Sequence, residues 1–515
     1  MNPSVRRKLT PGKRRNQYRL RDIEGEDQPD PMLSARNIPY DLADKSRALA
    51  CGGIGAIHLL ARQSGLIEAV DRRLHLLKIH KPYHESDHVL NIAYNLLCGG
   101  TCLEHIELRR NDEVFAGALG AQRIPDPTTA GDFCRRFDEH HVETLMDIIN
   151  DVRVGVWQRQ PKAFFDQAVI DGDGTMAETT GECQEGMDIN HQGQWGYPPL
   201  ILSLANTAEP LYLVNRSGNR PSHDGATRWY NRAIDLCLGA GFQRVLLRGD
   251  TDFTQTKALD DWHGRGVQFI FGIDAMPNLV EWAESLENKV WKPLVRQPKY
   301  TVQTNPRERP RNVQAAIVRQ RGFENIRLES EEVAEFDYAP GHCRRSYRIV
   351  VVRKNLSMER GELALFDDVR YFFYITNHRS LTPSGVVRTA HARCNQENLI
   401  KQLKGGVCAL DMPVDHLVSH WAYLVMASLA WSLKIGFALL LPERGRWGKK
   451  YTSQKEKVLR REFGTFLHAF MNIPAQVIRT GRRIVYRVLA WNQGLDVFLR
   501  GVDAIRRPVN RPLRC

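Results

Sequence analysis

The sequence predicts an α/β protein: a mixed sheet flanked by helices, carrying a β-rich insertion and set between helical N- and C-terminal regions. Three observations lead there. First, the strand-like runs FFDQAVID, PPLILSLAN and LYLVNRS follow one another between residues 164 and 217, close enough to form an antiparallel meander. Next the chain alternates, with a helix over 223–241, the strand QRVLLRGD, a helix over 254–265 and a strand over 267–272, as parallel crossover units do. Finally, FFDQAVIDGDGT and RVLLRGDTDF run apolar strands straight into acidic turns, ending in Asp171 and Asp173 and in Asp250 and Asp252. An α/β sheet presents carboxylates at its strand ends in this way.

Taken in order, residues 1–35 hold Arg6, Arg7, Lys8, Lys13, Arg14, Arg15, Arg19 and Arg21 among few apolar residues. Such a stretch cannot bury enough surface to fold alone and reads as a basic disordered arm. Residues 36–160 read as a helical region, because apolar residues recur at three and four along CGGIGAIHLLARQSGLIEAVDRRL, SDHVLNIAYNLLCGGTCLEHIELRR and TTAGDFCRRFDEHHVETLMDIINDV. Recognition of DNA is the role assigned to it, and a plain scaffold is the competing one. Residues 161–275 form the first part of the sheet domain and 370–442 the second, with YFFYITN rejoining the sheet. Between them, 276–369 is far longer than one crossover needs. There YTVQT, AAIVRQR, RSYRIVVVRKN and GELALF alternate like strands, separated by RPRNVQ and the acidic run LESEEVAEFD, so a small β-rich insertion domain is expected. Trp282, Trp291 and Tyr300 near its start could stack on an unpaired base, although core packing explains each with fewer assumptions.

The apolar run HLVSHWAYLVMASLAWSLKIGFALLL is long enough for a bilayer, but His416, His420, Trp421 and Lys434 within and beside it favour a buried helix packed on the sheet. Residues 443–515 read as a basic helical region. Their clusters Arg444, Arg446, Lys449, Lys450, Lys455, Lys457, Arg460 and Arg461, then Arg479, Arg482, Arg483 and Arg487, interleave with Trp447, Tyr451 and Tyr486. Phosphate binding accounts for such clusters, with a solvated surface as the alternative.

The chain of 515 residues has room for two to four domains, and its 42% hydrophobic and 25% charged residues are ordinary for a soluble globular protein. A formal charge of +13 and a pI near 9.3 are not ordinary. They favour a polyanionic partner, here nucleic acid rather than a membrane. No apolar run follows the basic N-terminus, so a signal peptide is not expected and the cytoplasm is the predicted compartment. Ten cysteines occur without a CxxC or a Cys/His array, and Cys98 and Cys102 read as core thiols.

The chain is organised around the stretch after Thr382, an N-cap, and Pro383, which fits a first helical position. Gly405-Gly406 marks the stop, so one helix of about six turns is expected between them. Arg393, Glu397 and Lys404 would then lie within about 40° of one another, a carboxylate between two cations on one face. An exposed face laced with i,i+4 ion pairs would look the same. The aspartates upstream favour chemistry: three carboxylates in the order Asp, Asp, Glu can hold two divalent ions about 4 Å apart.

This pattern resembles the DDE transposases of bacterial insertion sequences, whose catalytic domain is ribonuclease H-like. Within them it looks closest to the branch with a Tyr-x2-Arg-x3-Glu-x6-Lys signature, in particular the insertion sequence thirteen-eighty family. Arg393, Glu397 and Lys404 match residue by residue, while Ala390 stands at the tyrosine. Asp173-Gly174-Thr175 resembles the family's first Asp-x-Thr turn, which selects Asp173 over Asp171, and Asp250 matches the second aspartate. Asn215-Arg216-Ser217-Gly218-Asn219 looks like its Arg-x-Gly-Asn element. The resemblance runs from about residue 86 to about 440. It implies metal ligation by Asp173, Asp250 and Glu397, with Arg393 and Lys404 on phosphate charge, and two Mg²⁺ ions for which Mn²⁺ can substitute. It further implies a nucleoid-associated DNA transposase acting on double-stranded DNA, both terminal inverted repeats and target, as a homodimer on paired ends. Two other classes fit the same residues: a transposase-derived DNA-binding protein without catalysis, and a ribonuclease H-like nuclease that cuts without rejoining.

Overall fold

A computed structural model describes residues 3–19, 38–40, 47–190, 192–295, 325–359, 368–481, 483–489 and 491–507. Its centre is a nine-stranded mixed sheet of β1 (Ala168–Gly174), β2 (Leu200–Leu204), β3 (Glu209–Val214), β4 (Val245–Gly249), β5 (Gln268–Ile273), β6 (Lys292–Pro293), β7 (Asn325–Tyr338), β8 (Tyr347–Glu359) and β9 (Asp368–Thr376). Across the sheet the order is β6-β7-β8-β9-β5-β4-β1-β2-β3. β1, β2 and β3 form the antiparallel meander, and β4 and β5 run parallel to β1. These are the order and directions of the ribonuclease H-like sheet expected from the sequence.

The insertion continues this sheet instead of making one of its own. β9 pairs antiparallel with β5, and β8, β7 and β6 extend the edge in turn. Side-chain parity shows the continuity: Phe269 and Phe271 of β5, Ile349 and Val351 of β8 and Phe373 of β9 join the main core, while Ile270, Val350, Val352 and Tyr374 face the other side. The acidic run 328–337 is part of β7 and not a connection between strands. Its charges pair across the ladder, Glu332 with Arg353 at 2.7 Å and Glu331 with Lys354 at 3.6 Å, which satisfies in a strand residues that look like a loop. Trp291 is buried under the Arg353 guanidinium, and Trp282 is half exposed on the helix Pro277–Ser285. Tyr300 and the expected strands YTVQT, AAIVRQR and GELALF lie outside the described residues.

Residues 3–19 form a helix, α1 (Pro3–Arg19), where a disordered arm was expected. Its partner is remote in sequence: Leu9 and Gly12 lie against the C-terminal segment that carries Trp491, which supplies the apolar contact the arm lacks. Residues 20–37 lie outside the described ones. The N-terminal region then builds α2 (Ile54–Gln63), α3 (Leu66–Arg73), α4 (Glu85–Leu97), α5 (Pro127–Cys134) and α6 (Glu139–Trp157). The cap of α5 is Asp126, which accepts from Thr129 N at 2.8 Å, and Asp138 caps α6, so the third predicted segment is two helices. On one face of the central sheet lies α7 (Ala226–Ala240). The Tyr230 hydroxyl from this helix donates to the Arg248 carbonyl at 3.0 Å. A Cβ at position 172 would come within 2.1 Å of that hydroxyl, so only glycine lets α7 approach β1 so closely.

On the opposite face lie α8 (Pro383–His391) and α9 (Cys394–Gly405), followed by α10 (Leu417–Leu439), α11 (Gly448–Leu459) and α12 (Leu495–Ile505). Among the described residues α10 is the one helix long and apolar enough to cross a membrane, and 94% of its apolar window is buried in the protein. It packs on α2, α4, α6 and the edge strand β3, so the N-terminal helices and the sheet share one core. The C-terminal region is not wholly helical. Strands β10 (Ala475–Thr480) and β11 (Arg483–Val488) form a hairpin around Gly481 (φ +49°) and pair with the short strand Ala48–Leu49.

Candidate active site

β1 and β4 lie side by side and parallel, with Asp171 opposite Arg248. Two residues further along each strand, Asp173 and Asp250 emerge at the same end of the sheet, on the face covered by α8 and α9. Strand periodicity forces this, since residues two apart share a face.

One cation joins them. Arg393 Nη1 donates to Asp173 Oδ2 at 2.9 Å, and Arg393 Nη2 stands 3.6 Å from Asp250 Oδ2. Asp173 Oδ1 accepts from the N–H of Gly174 at 2.9 Å, whereas Asp250 Oδ1 is buried with no hydrogen-bond partner among the described residues. Burial raises the pKa of Asp173 to about 6; Arg393 pulls it down and the Asp250 charge pushes it up. Burial also raises Asp250, again opposed by Arg393.

The expected single helix is interrupted at Ala392–Arg393, beside the aspartates. Thr382 does cap α8, its hydroxyl accepting from Gly385 N at 3.1 Å, and Pro383 opens the helix. The chain then tightens at Ala392–Arg393, where Arg393 N bonds to Ala390 O and Gln396 N to Arg393 O, three residues apart. Gln396 holds the break in place: it is buried, donates to Ile201 O at 3.1 Å and accepts from the Ser203 hydroxyl, which ties α9 to β2. Arg393 stands at the N-cap of α9 and pairs with Asp173, while Glu397, in the first turn, and Lys404, in the last, are exposed along the same helix. Glu397 and Lys404 have no hydrogen bond or ion pair among the described residues.

Asp171 is differently employed. Its two oxygens accept from Arg248 Nε and Nη2, each at 2.7 Å, and Arg248 Nη1 donates to Thr389 O at 2.9 Å. Both residues are buried. Arg216 is also buried and spends its guanidinium on carbonyls, on Pro198 O at 2.9 and 3.0 Å and Asp224 O at 2.8 Å, so it braces loops and does not reach outward. Sequence reasoning missed Arg248, Gln396 and the pair Tyr374–His391, whose Oη and Nε2 are 2.9 Å apart in the wall of the cleft beside Asp250. The alternation of β4, which puts Arg248 on the face of Asp250, was the available signal for the first.

The donor set suits a hard divalent cation such as Mg²⁺, which takes carboxylate oxygens. Two desolvated carboxylates share a single guanidinium, and Asp250 Oδ1 is a buried acceptor without a donor among the described residues, so a cation could use it.

The family model described as transposase DDE domain group 1 matches residues 45–508. A search of curated proteins finds no match. Among solved structures, a piggyBac transposase synaptic complex with hairpin DNA, determined by cryo-EM, is similar at 11% sequence identity and a TM-score of 0.34, covering 82% of each chain.

Proposed function

The chain belongs to the family of DDE transposase domains, group 1, and we propose that it cleaves the ends of an insertion sequence and joins them to target DNA by phosphoryl transfer, in the branch that carries the Tyr-Arg-Glu-Lys signature. The observation that carries this reading is the meeting of Asp173 and Asp250 at neighbouring strand ends around Arg393.

In this reading Asp173 and Asp250, with Glu397 from the first turn of α9, would hold two ions of the Mg²⁺ class, Mn²⁺ serving as well. When bound, such ions supply Lewis acidity, lowering the pKa of an attacking water or 3′-hydroxyl and neutralising charge on the leaving oxygen. The protein's own groups do the rest. Arg393 offers its guanidinium to non-bridging oxygens of the scissile phosphate, and the exposed Lys404 meets a flanking phosphate. Asp171 with Arg248 fixes the strand ends so that the carboxylates stay in place.

Affinity for duplex DNA comes from elsewhere. Arg444, Arg446, Lys449, Lys450, Lys457 and Arg460 are exposed in and on either side of α11, as are Arg479, Arg483 and Arg487 on the hairpin. Lys455 is not part of that surface, because it is buried against Gln160 and Glu443. We assign the terminal repeats and the target to these basic faces, and a homodimer to the paired ends.

The test is Mg²⁺-dependent cleavage and joining of a duplex carrying the genomic DNA that flanks the reading frame. Cleavage followed by joining, lost in Asp173→Ala, Asp250→Ala and Glu397→Ala while DNA binding persists, is the expected result. Cleavage without joining would mean a nuclease, and binding without cleavage a DNA-binding protein.

A further inference from the structure

The connection between α3 and α4 carries a second set of metal-binding groups, on elements that take no part in the aspartate site. His80 lies in the connection, His84 is the N-cap of α4 and Glu85 is its first residue. One ligand atom from each falls within 4.8 Å of the other two. The two imidazoles are stacked nearly parallel, with centroids 4.4 Å apart and 9° between their planes, and both offer a nitrogen to the same carboxylate. His80 Nε2 is 3.0 Å from Glu85 Oε2. In a tetrahedral site with metal–ligand bonds of about 2.0–2.1 Å, neighbouring ligand atoms stand roughly 3.3 Å apart, so this pair already has the spacing of one edge. A small turn of the exposed His84 ring closes the rest.

The way the carboxylate is held separates this group from an ordinary His–Glu hydrogen bond. Glu85 is buried, and its other oxygen, Oε1, accepts from Leu76 N at 3.0 Å and from Leu77 N at 2.9 Å. Those bonds fix the carboxylate and leave Oε2 to the imidazoles, as outer partners do when they orient a metal ligand. The local charge also suits a cation. A helix N-terminus alone disfavours one, but the first turn of α4 bears Glu85 and Asp87, and Asp71 of α3 accepts from Ser86 N at 2.9 Å and Ser86 Oγ at 3.0 Å. Carboxylates from both helices therefore surround the place.

We infer that His80, His84 and Glu85 bind one transition-metal ion of the Zn²⁺ class, which ties the α3–α4 connection to the first turn of α4 and leaves a fourth position to water. Two imidazoles and one carboxylate select the class. Imidazole suits Zn²⁺ and its neighbours, whereas Mg²⁺ and Mn²⁺ prefer oxygen donors and Mn²⁺ stands lowest in the affinity series. The ion is thus of another kind from those proposed for Asp173 and Asp250, and it is independent of the transposase reading. What it orders is a connection whose Lys78, Ile79 and Lys81 are exposed.

The test strips the full-length protein of metal with a chelator and returns Zn²⁺ in excess Mg²⁺. Zn²⁺ retained through gel filtration is counted by elemental analysis, and Co²⁺ in its place reports four-coordinate geometry through its visible spectrum. One Zn²⁺ per chain is the expected result. His84→Ala and His80→Gln, the second keeping an N–H donor for Glu85, should each weaken binding by about a hundredfold or more, since losing even an outer partner costs about 10–100-fold. Metal-free, both should unfold as the unaltered protein does, so that a lost ion is not a lost fold. Trypsin cleavage after the exposed Lys78 should slow severalfold when Zn²⁺ is added to the unaltered protein and not when it is added to His84→Ala. Absence of bound Zn²⁺, equal retention by His84→Ala, or cleavage after Lys78 at one rate with and without Zn²⁺ overturns the proposal. Asp250→Asn separates the two sites. Zn²⁺ retained by it supports the site on α4; Zn²⁺ lost from it puts the ion at the aspartates and overturns this inference while leaving the transposase reading intact.

Discussion

Two aspartate–arginine pairs lie on one face of the sheet, two residues apart, and they behave differently. Asp171 and Arg248 form a closed pair: both are buried, both carboxylate oxygens are taken, and the remaining nitrogen finds the Thr389 carbonyl. Asp173, Arg393 and Asp250 form an open group. Their side chains keep 13%, 20% and 36% of their exposure, and one oxygen of Asp250 has no donor among the described residues. A sealed pair can only brace the scaffold. An open group with an unsatisfied acceptor can exchange its cation for another, as a metal-dependent site requires.

The comparison is broken most severely if the open group proves dispensable. Asp250→Ala should lower cleavage by about 10³-fold or more, the scale of losing a group that acts in the transition state. DNA binding measured in parallel should hold, since the exposed arginines and lysines of the C-terminal region are untouched. Next in size is the closed pair. Arg248→Met leaves a buried carboxylate without its cation and should cost about 3–5 kcal/mol in chemical denaturation. An unfolding midpoint equal to that of the unaltered protein would refute the bracing role.

A pH series sharpens the contrast further. The carboxyl of Asp173 is raised from 3.8 to about 6 in the folded protein, so the folded state holds its proton more tightly than the unfolded one. Stability from the protonated form is therefore fully present below about pH 4 and is lost as pH rises through about 6, by about 3 kcal/mol at 1.4 kcal/mol per pH unit. Asp173→Asn should flatten that slope of unfolding free energy between pH 4 and 6; an unchanged slope would mean that Asp173 is not the buried acid. The smallest effect belongs to Lys404→Ala. Its exposed cation should be worth only about three- to fivefold in strand joining, and no change at all would remove it from the phosphate path.

Local chemistry was legible in the sequence where neighbours in the chain decide the outcome. The Thr382-Pro383 opening of α8, the strand ends at Asp173 and Asp250 and the meander before them follow from capping and alternation. What could not be read depends on partners far away. The helix breaks before Cys394 because Gln396 is tied to Ile201 and Ser203, nearly two hundred residues earlier. The run 328–337 is a strand because its acids find Arg353 and Lys354 across the ladder. Basic residues 3–19 form a helix against the Trp491 segment at the opposite end of the chain. The hairpin of β10 and β11 did leave a trace, its β-branched residues Val477, Ile478, Ile484 and Val485 around Gly481, but the basic charge obscured it. At the site itself, spacing gave Arg393 its identity and not its direction.

The account depends on the open group being a cation site, and Mn²⁺ binding reports on that without requiring turnover. Titrating Mn²⁺ into the full-length protein on duplex DNA, followed by electron paramagnetic resonance, should show two bound ions, with binding lost in Asp173→Asn and Asp250→Asn and retained in Asp252→Asn. Equal Mn²⁺ binding by the unaltered protein and by Asp250→Asn would contradict it.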